Sequence, residues 1–389
     1  MMRRRAAVVT GSRADYGSLR PLVETLRSVM TVELLVSGMH LSGAFGASVR
    51  EVEADGFPVA ARIHTLVDGQ TDTAIAESIG LATCSFGREL STLRPDVLIL
   101  FGDRHEMFAA ACAAIPLRIR IAHIGGGENT VVVSTDVTYR AAMTKMSHLH
   151  FVSTEPYRQK VLAMGEESWR IHVVGALGID AIKRTNPIPR PELEAELGLR
   201  PNRPIVVVTY HPVTMTPDST HAEIAVVLSA LESFADIEFV FTYPGADASY
   251  ADIVDAIELF AAGHPNAHIA RSLGSQRYLS LLAYAKAMVG NSSSGLLEAP
   301  SFGLPVVNVG PRQDDRIRAA NVLDVPCDRA EVTHAVRLAL YDEPFRSKAR
   351  QVVNPYGDGQ ASQRIADVLS RVSLDGLLRK EMAAQVLAS

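Results

Sequence analysis

At 389 residues the chain is too long for one ordinary hydrophobic core, and two domains are expected. Its 47% hydrophobic and 21% charged content is that of a soluble globular protein, and a net charge of −5 argues against nucleic acid or an acidic membrane as partner. No stretch approaches the roughly 18 apolar residues that a membrane span needs.

The opening Met1-Met2-Arg3-Arg4-Arg5 carries the charge of a signal-peptide start. The apolar run behind it, Ala6–Thr10, is too short for a signal's hydrophobic region and reads as a first buried strand. Further strand candidates follow at Val32–Val36, Val59–Ile63, Asp96–Phe101, Ile119–Ile124 and His148–Val152. Between the first two, Leu19, Leu22, Val23 and Leu26 fall on one helix face. Near-continuous apolar strands joined by helices indicate parallel sheets covered on both faces. The texture loosens after Gly175, with Pro, Arg and Glu abundant in Lys183–Pro204. A second alternating series then runs through Ile205–Tyr210, Ile237–Tyr243, Ala267–Ala270, Lys286–Val289 and Pro305–Val309.

The expected architecture is therefore α/β, with two Rossmann-like, doubly wound domains at residues 1–175 and 176–361. Residues 362–389 should add one or two helices that pack back on the first domain. Cys84, Cys112 and Cys327 have neither paired nor metal-ligand spacing, and are expected to be reduced, buried side chains of a cytoplasmic protein.

In doubly wound sheets ligands bind beyond the carboxyl ends of the strands, so the polar clusters there carry the chemistry. After the first strand, Thr10-Gly-Ser-Arg13-Ala-Asp15-Tyr16-Gly17 offers small residues and a cation that could close over a diphosphate, or form a plain turn. Gly102-Asp103-Arg104-His105-Glu106 follows a buried strand; Asp103 is a candidate base or orienter, or else a helix cap. In His123-Ile-Gly-Gly-Gly-Glu128 three glycines allow backbone to approach a ligand, and Glu128 beyond them is placed to act as acid or base, whereas His123 could equally be a packed residue. His211, after the second domain's first strand, could as imidazolium offset phosphate charge or protonate a leaving group. In Gly290-Asn-Ser-Ser-Ser-Gly-Leu-Leu-Glu298, hydroxyl residues lead into a helix expected to end at Ala299-Pro300, a start that suits an anion, with Glu298 set for a sugar hydroxyl. Arg312 and Arg316 either clamp phosphate from the side or are solvated.

Taken together, these stretches resemble the hydrolysing UDP-N-acetylglucosamine 2-epimerases of sialic-acid-type biosynthesis over nearly the whole chain. The matching segments are Thr10–Tyr16, Gly102–Met107, Thr144–Thr154, Val174-Gly175, His211–Thr214, Tyr243-Pro244, Gly290–Gly295 with Glu298–Pro300, Arg312-Gln313 and Asn321-Val322. The resemblance implies a two-domain glycosyltransferase-B arrangement with an interdomain cleft, nucleotide held by the carboxyl-terminal half, a UDP-linked 2-acetamido sugar as substrate, a homodimer, and no need for a metal or redox cofactor. Carried over by position, Asp103, Glu128 and Asp136 are the acid–base candidates. His211 and Arg13 would lie near the phosphates, Ser293, Ser294 and Gly295 would donate backbone N–H groups to them, Glu298 would hold the ribose, and Arg140 is retained beside the sugar.

The chain departs from the family pattern in one segment. Gly125 replaces a polar residue, Val137 the second of two acids, and Ala141 a histidine, while the loop Asn129–Thr135 is one residue longer and apolar. Elimination of the nucleotide stays possible with Glu128 and Asp136. The alternatives are another nucleotide-sugar reaction on this scaffold (glycosidic hydrolysis, elimination or glycosyl transfer) and a non-catalytic sugar-nucleotide binder.

Overall fold

The computed structural model describes residues 3–43, 46–67, 71–128, 135–213, 219–244, 250–271 and 273–381. The apolar loop 129–134, Thr214, the turn residues 245–247 and the last part of the expected carboxyl-terminal helices lie outside them. Among the described residues no helix is long and apolar enough to cross a membrane.

The chain divides into two compact units. The first comprises residues 1–128, 136–183 and 356–389, the second residues 129–135 and 184–355. In the first, seven strands form one sheet: β1 (Arg5–Thr10), β2 (Thr31–Ser37), β3 (Val59–Ile63), β4 (Val97–Phe101), β5 (Arg120–Ile124), β6 (Leu149–Val152) and β7 (Ile171–Val173). Their order is β3-β2-β1-β4-β5-β6-β7, every pairing parallel. The second unit has β8 (Ile205–Thr209), β9 (Glu238–Thr242), β10 (Ala267–Ala270), β11 (Ala287–Gly290), β12 (Val306–Val309) and β13 (Val322–Val325). These run β10-β9-β8-β11-β12-β13, again parallel throughout.

The apolar runs become strands because both faces are covered. In β1, Ala6 and Val8 join one core, packed by the helix Arg13–Val29 through Leu19, Leu22, Val23 and Leu26. Ala7 and Val9 join the core on the opposite face, beneath Phe86 and Leu90 of Asp72–Leu93 and Met107 of His105–Ala114. This period of two, with each buried valine worth roughly 1.5–3 kcal/mol, leaves no slack in the register.

The chain's end is built into the first unit. The helix Ala361–Arg371 places Ile365, Ala366 and Leu369 in the same core as Leu19 and Leu22. Its first turn is capped by the buried carboxylate of Asp180, which accepts the N–H groups of Ala361 (2.9 Å) and Ser362 (2.7 Å). This is the only regular helix among the described residues after 361. The cysteines are free, but they are not buried: Cys84 is exposed and Cys112 and Cys327 are half-buried. Cys84 lies on a helix whose core contacts are taken by Ala82, Phe86 and Leu90.

Each sheet reverses its winding between its two central strands, β1/β4 in one unit and β8/β11 in the other. Loops from these strands leave in opposite directions there and open a crevice at the carboxyl ends.

Candidate active site

In the first unit, β4 and β5 end side by side, with Phe101 paired to Ile124. Asp103 follows β4, Glu128 lies past the glycine turn that follows β5, and both meet Arg140 on the helix Thr135–Met146. Arg140 is nearly buried, 5% exposed at its side chain, against 25% for Asp103 and 12% for Glu128. One Nη donates to Asp103 Oδ2; the other bonds Gly125 O at 2.6 Å and lies 3.5 Å from Glu128 Oε2. Burial alone would lower the pKa of the guanidinium, but Asp103 and Glu128 outweigh it and hold the group charged. Asp136, four residues earlier on the same helix, adds a third carboxylate to this field.

Two neutral neighbours fix the carboxylates. Ser153 Oγ donates to the other oxygen of Glu128 at 2.8 Å. His123 is fully buried, and because a carbonyl can only accept, its Nε2 carries the proton given to Gly102 O at 2.8 Å. Burial pushes its pKa down to about 4. His123 is thus a packed, neutral imidazole that orients the residue before Asp103. At Gly125 (φ +91°) an added Cβ would come no nearer than 3.7 Å to Arg140, so the left-handed backbone, rather than lack of room, favours glycine there.

A second charged group sits at the ends of β1 and β2. Arg13 Nε lies 2.9 Å from Glu51 Oε1, a bond that any diphosphate drawing on Arg13 would have to displace. Glu106 is fully buried, with Arg104 Nε at 3.2 Å and His105 Nε2 at 3.6 Å. Beside it Asp15 accepts from Gly11 N at 3.3 Å. Burial raises the Asp15 pKa to about 6, Arg104 opposing and Glu106 adding. An acid whose folded pKa exceeds its ordinary 3.8 holds an extra proton in the native state between pH 4 and 6, so stability falls as pH rises through that window. Asp15→Asn should therefore stabilise the fold by about 2–3 kcal/mol at pH 7.5 and by almost nothing near pH 4, measured by urea unfolding. A pH-independent difference would contradict this.

In the second unit the corresponding loops follow β8, β11 and β12. Gly290 (φ +133°) closes β11 against β8: a Cβ there would lie 1.9 Å from Thr209 O, and only glycine fits. The next helix is a single turn, Ser294–Leu297, continued by a short 3-10 segment Ala299–Phe302, so little dipole is available to an anion. Gly295 N closes a turn on Ser292 O at 3.2 Å, and Ser294 N lies 3.4 Å from Ser292 Oγ. Gly295 is also required by packing, since a Cβ would meet Val306 Cγ1 at 2.8 Å. Ser293 is the residue before this turn, and Glu298 closes it. The Tyr278 hydroxyl donates to Ser294 Oγ at 2.5 Å, and its pKa is raised by burial and by the charge of Glu298.

His211 Nδ1 is buried without a hydrogen-bond partner among the described residues, as is Arg316 Nε. Burial and then Arg312 drive the His211 pKa well below its ordinary value, which favours the neutral ring when no anion is beside it. Arg312 itself bonds Asn291 O at 3.1 Å. Asn291, Gln313, Tyr278, Ser153 and Glu106 are not among the site residues expected from sequence; Asn291 and Ser153 carry a signal, a polar side chain immediately after an apolar strand, whereas Tyr278 lies within a helix and carries none.

Residues 25–370 match the family model for UDP-N-acetylglucosamine 2-epimerase. The chain belongs to that family. It is 36% identical to the Legionella pneumophila UDP-N,N'-diacetylbacillosamine 2-epimerase (hydrolyzing), covering 96% of this epimerase-family chain and 97% of the relative. To the Campylobacter jejuni GDP/UDP-N,N'-diacetylbacillosamine 2-epimerase (hydrolyzing) it is 34% identical, with coverage of 83% and 85%. Among solved structures, the Neisseria meningitidis UDP-GlcNAc 2-epimerase bound to UDP-GlcNAc shares the fold, with a TM-score of 0.79 at 20% identity over 94% of this chain and 99% of that one. The family-typical α/β fold extends to a glycosyltransferase, at a TM-score of 0.54.

Proposed function

We propose that this member of the epimerase family is a hydrolysing 2-epimerase of a UDP-linked 2-acetamido sugar. A base takes the C2 proton as the bond from C1 to the UDP oxygen breaks, leaving a 2-acetamidoglucal. Water then adds its oxygen to C1 while a proton returns to C2 from the opposite face, and the free sugar leaves with inverted C2. Asp103 and Glu128 are the acid–base pair, with Asp136 as the third candidate, and Arg140 holds the pair at fixed separation. The observation that carries this reading is the shared buried guanidinium: two carboxylates from separate strand ends are fastened to one cation in a chain of this family.

The departing diphosphate is assigned to the second unit. His211, Arg312 and Arg316 supply the cationic side, Ser293, Ser294 and Gly295 the backbone, and Glu298 the ribose contact. His211 is neutral without ligand; phosphate arriving beside it favours the protonated ring, which suits it to shed a proton to the leaving group.

The relatives at 36% and 34% identity are named for a 2,4-diacetamido sugar, and Gly125 withholds the side chain that the family pattern puts beside the acids. Both favour UDP-N,N'-diacetylbacillosamine over UDP-N-acetylglucosamine, by about tenfold or more in kcat/KM. Equal or reversed values would refute that preference. Glu128→Gln should abolish turnover and leave UDP affinity within twofold by calorimetry; weakened UDP binding would mean that Glu128 is misassigned. The absence of ionisable side chains at Gly125, Val137 and Ala141 favours, as second reading, glycosidic hydrolysis or transfer on the same scaffold.

A further inference from the structure

At the head of the second unit one buried residue bonds two of the candidate ligand groups, His211 through its side chain and Arg312 through its backbone carbonyl. The β8/β11 ladder ends where Gly290 pairs with Thr209 and Asn291 N donates to Thr209 O at 3.2 Å. One residue further the backbone ladder is replaced by a side chain. Asn291 Oδ1 accepts His211 N at 2.7 Å, and Asn291 Nδ2 donates to His211 O at 2.9 Å. The carboxamide presents one acceptor and one donor with peptide-like geometry, so it continues the sheet's hydrogen bonding past its last strand residue. Meanwhile the Asn291 carbonyl, freed from the ladder, accepts Arg312 Nη1 at 3.1 Å and Gln313 Nε2 at 2.8 Å. Asn291 is fully buried, so water cannot replace these bonds.

We propose that Asn291 is a positioning residue for the reaction: a peptide mimic that holds His211 on one side and gathers Arg312 on the other, so that the groups meeting the diphosphate are set before ligand arrives. Preorganisation of this kind spares the ordering of three segments on binding. The assignment rests on the reading of this region as the UDP site.

The test compares Asn291→Ala with Asn266→Ala. Asn266 is an equally structural asparagine of the same unit, donating to Phe234 O (3.3 Å) and Ile237 O (2.8 Å) at the amino ends of β9 and β10. Both variants lose two backbone bonds and should lose similar thermal stability. Asn291→Ala alone should weaken UDP binding, by about 10- to 100-fold in Kd, the range expected when buried backbone partners are left unmade. It should also move the imidazole titration of His211 upward, followed by NMR with His211→Gln to assign the signal. Should Asn291→Ala not fold, Asn291→Asp keeps the shape and the bond from His211 N but opposes a carboxylate to His211 O, and the same losses are expected. UDP binding within twofold of wild type together with an unmoved His211 titration overturns the proposal, as does an equal affinity loss in Asn266→Ala. A wild-type chain that fails to bind UDP refutes the UDP-site reading instead, while the His211 titration still decides whether Asn291 controls that ring.

Discussion

Replacing Arg140 with methionine should cost about 3 kcal/mol of stability and lower kcat by about 100-fold or more. The side chain is 5% exposed and ion-pairs with both Asp103 and Glu128. Methionine fills similar volume, so the loss is electrostatic: two partly enclosed carboxylates lose the guanidinium they share. The stability figure is held to the lower end because Asp103 keeps a quarter of its surface in water. Adding Glu128→Gln to Arg140→Met should recover part of the stability while activity stays lost, a non-additivity expected of residues sharing one network. Urea unfolding and initial rates on the two single variants and the double decide this. Simple additivity in stability would show that the arginine does not couple the two acids.

Gly290→Ala is expected to be more damaging still, by more than about 4 kcal/mol, enough to abolish soluble expression or UDP binding. The added Cβ would stand 1.9 Å from Thr209 O and 2.7 Å from Thr209 C, backbone atoms of the central strand β8 that cannot move without breaking the ladder. Gly310 is the internal comparison: it too has positive φ (+76°), but a Cβ there meets nothing within 4 Å. Gly310→Ala should cost only the backbone strain, about 1–2 kcal/mol. Similar losses in the two variants, measured by denaturant unfolding, would argue that φ and not the close approach sets the cost at 290.

Most of the fold was legible because parallel strands buried on both faces read as continuous apolar runs. Those runs place the interior strands β1, β2, β4–β6, β8, β9, β11 and β12 to within a residue or two, and the edge strands β3 and β10, each with one buried residue, were also located. The two missed strands lack that signal. Ile171–Val173 is three residues long with only its first fully buried, and Val322–Val325 is an edge strand with no fully buried residue. The helix after Ser293 was expected to reach Ala299-Pro300 without interruption; it stops at Leu297, and the chain tightens into a 3-10 turn over Ala299–Phe302. Proline at 300 explains the break, since it withholds an N–H from any continuing helix.

The site was legible at its strand ends and less so in its wiring. Asp103 and Glu128 could be nominated from position, but that one arginine on a following helix is buried between them is a tertiary fact with no local pattern. Arg140 was expected as a group beside the sugar; the structure has it committed to Gly125 O and two carboxylates. His211 could be nominated as a proton donor, but its titration depends on burial next to Arg312, which no sequence spacing reports. Asn291 was visible only as a member of the motif following β11, because its role lies in bonds to a residue 80 positions earlier.

In the proposed reaction C2 of a UDP-linked 2-acetamido sugar loses and regains a proton. Incubation of the protein with UDP-N,N'-diacetylbacillosamine, and separately with UDP-N-acetylglucosamine, in heavy water tests it directly by proton NMR. The predicted product is UDP with a free sugar of inverted configuration that carries deuterium at C2. Release of UDP with hydrogen retained at C2 would contradict it and make the chain a hydrolase or transferase on an epimerase scaffold.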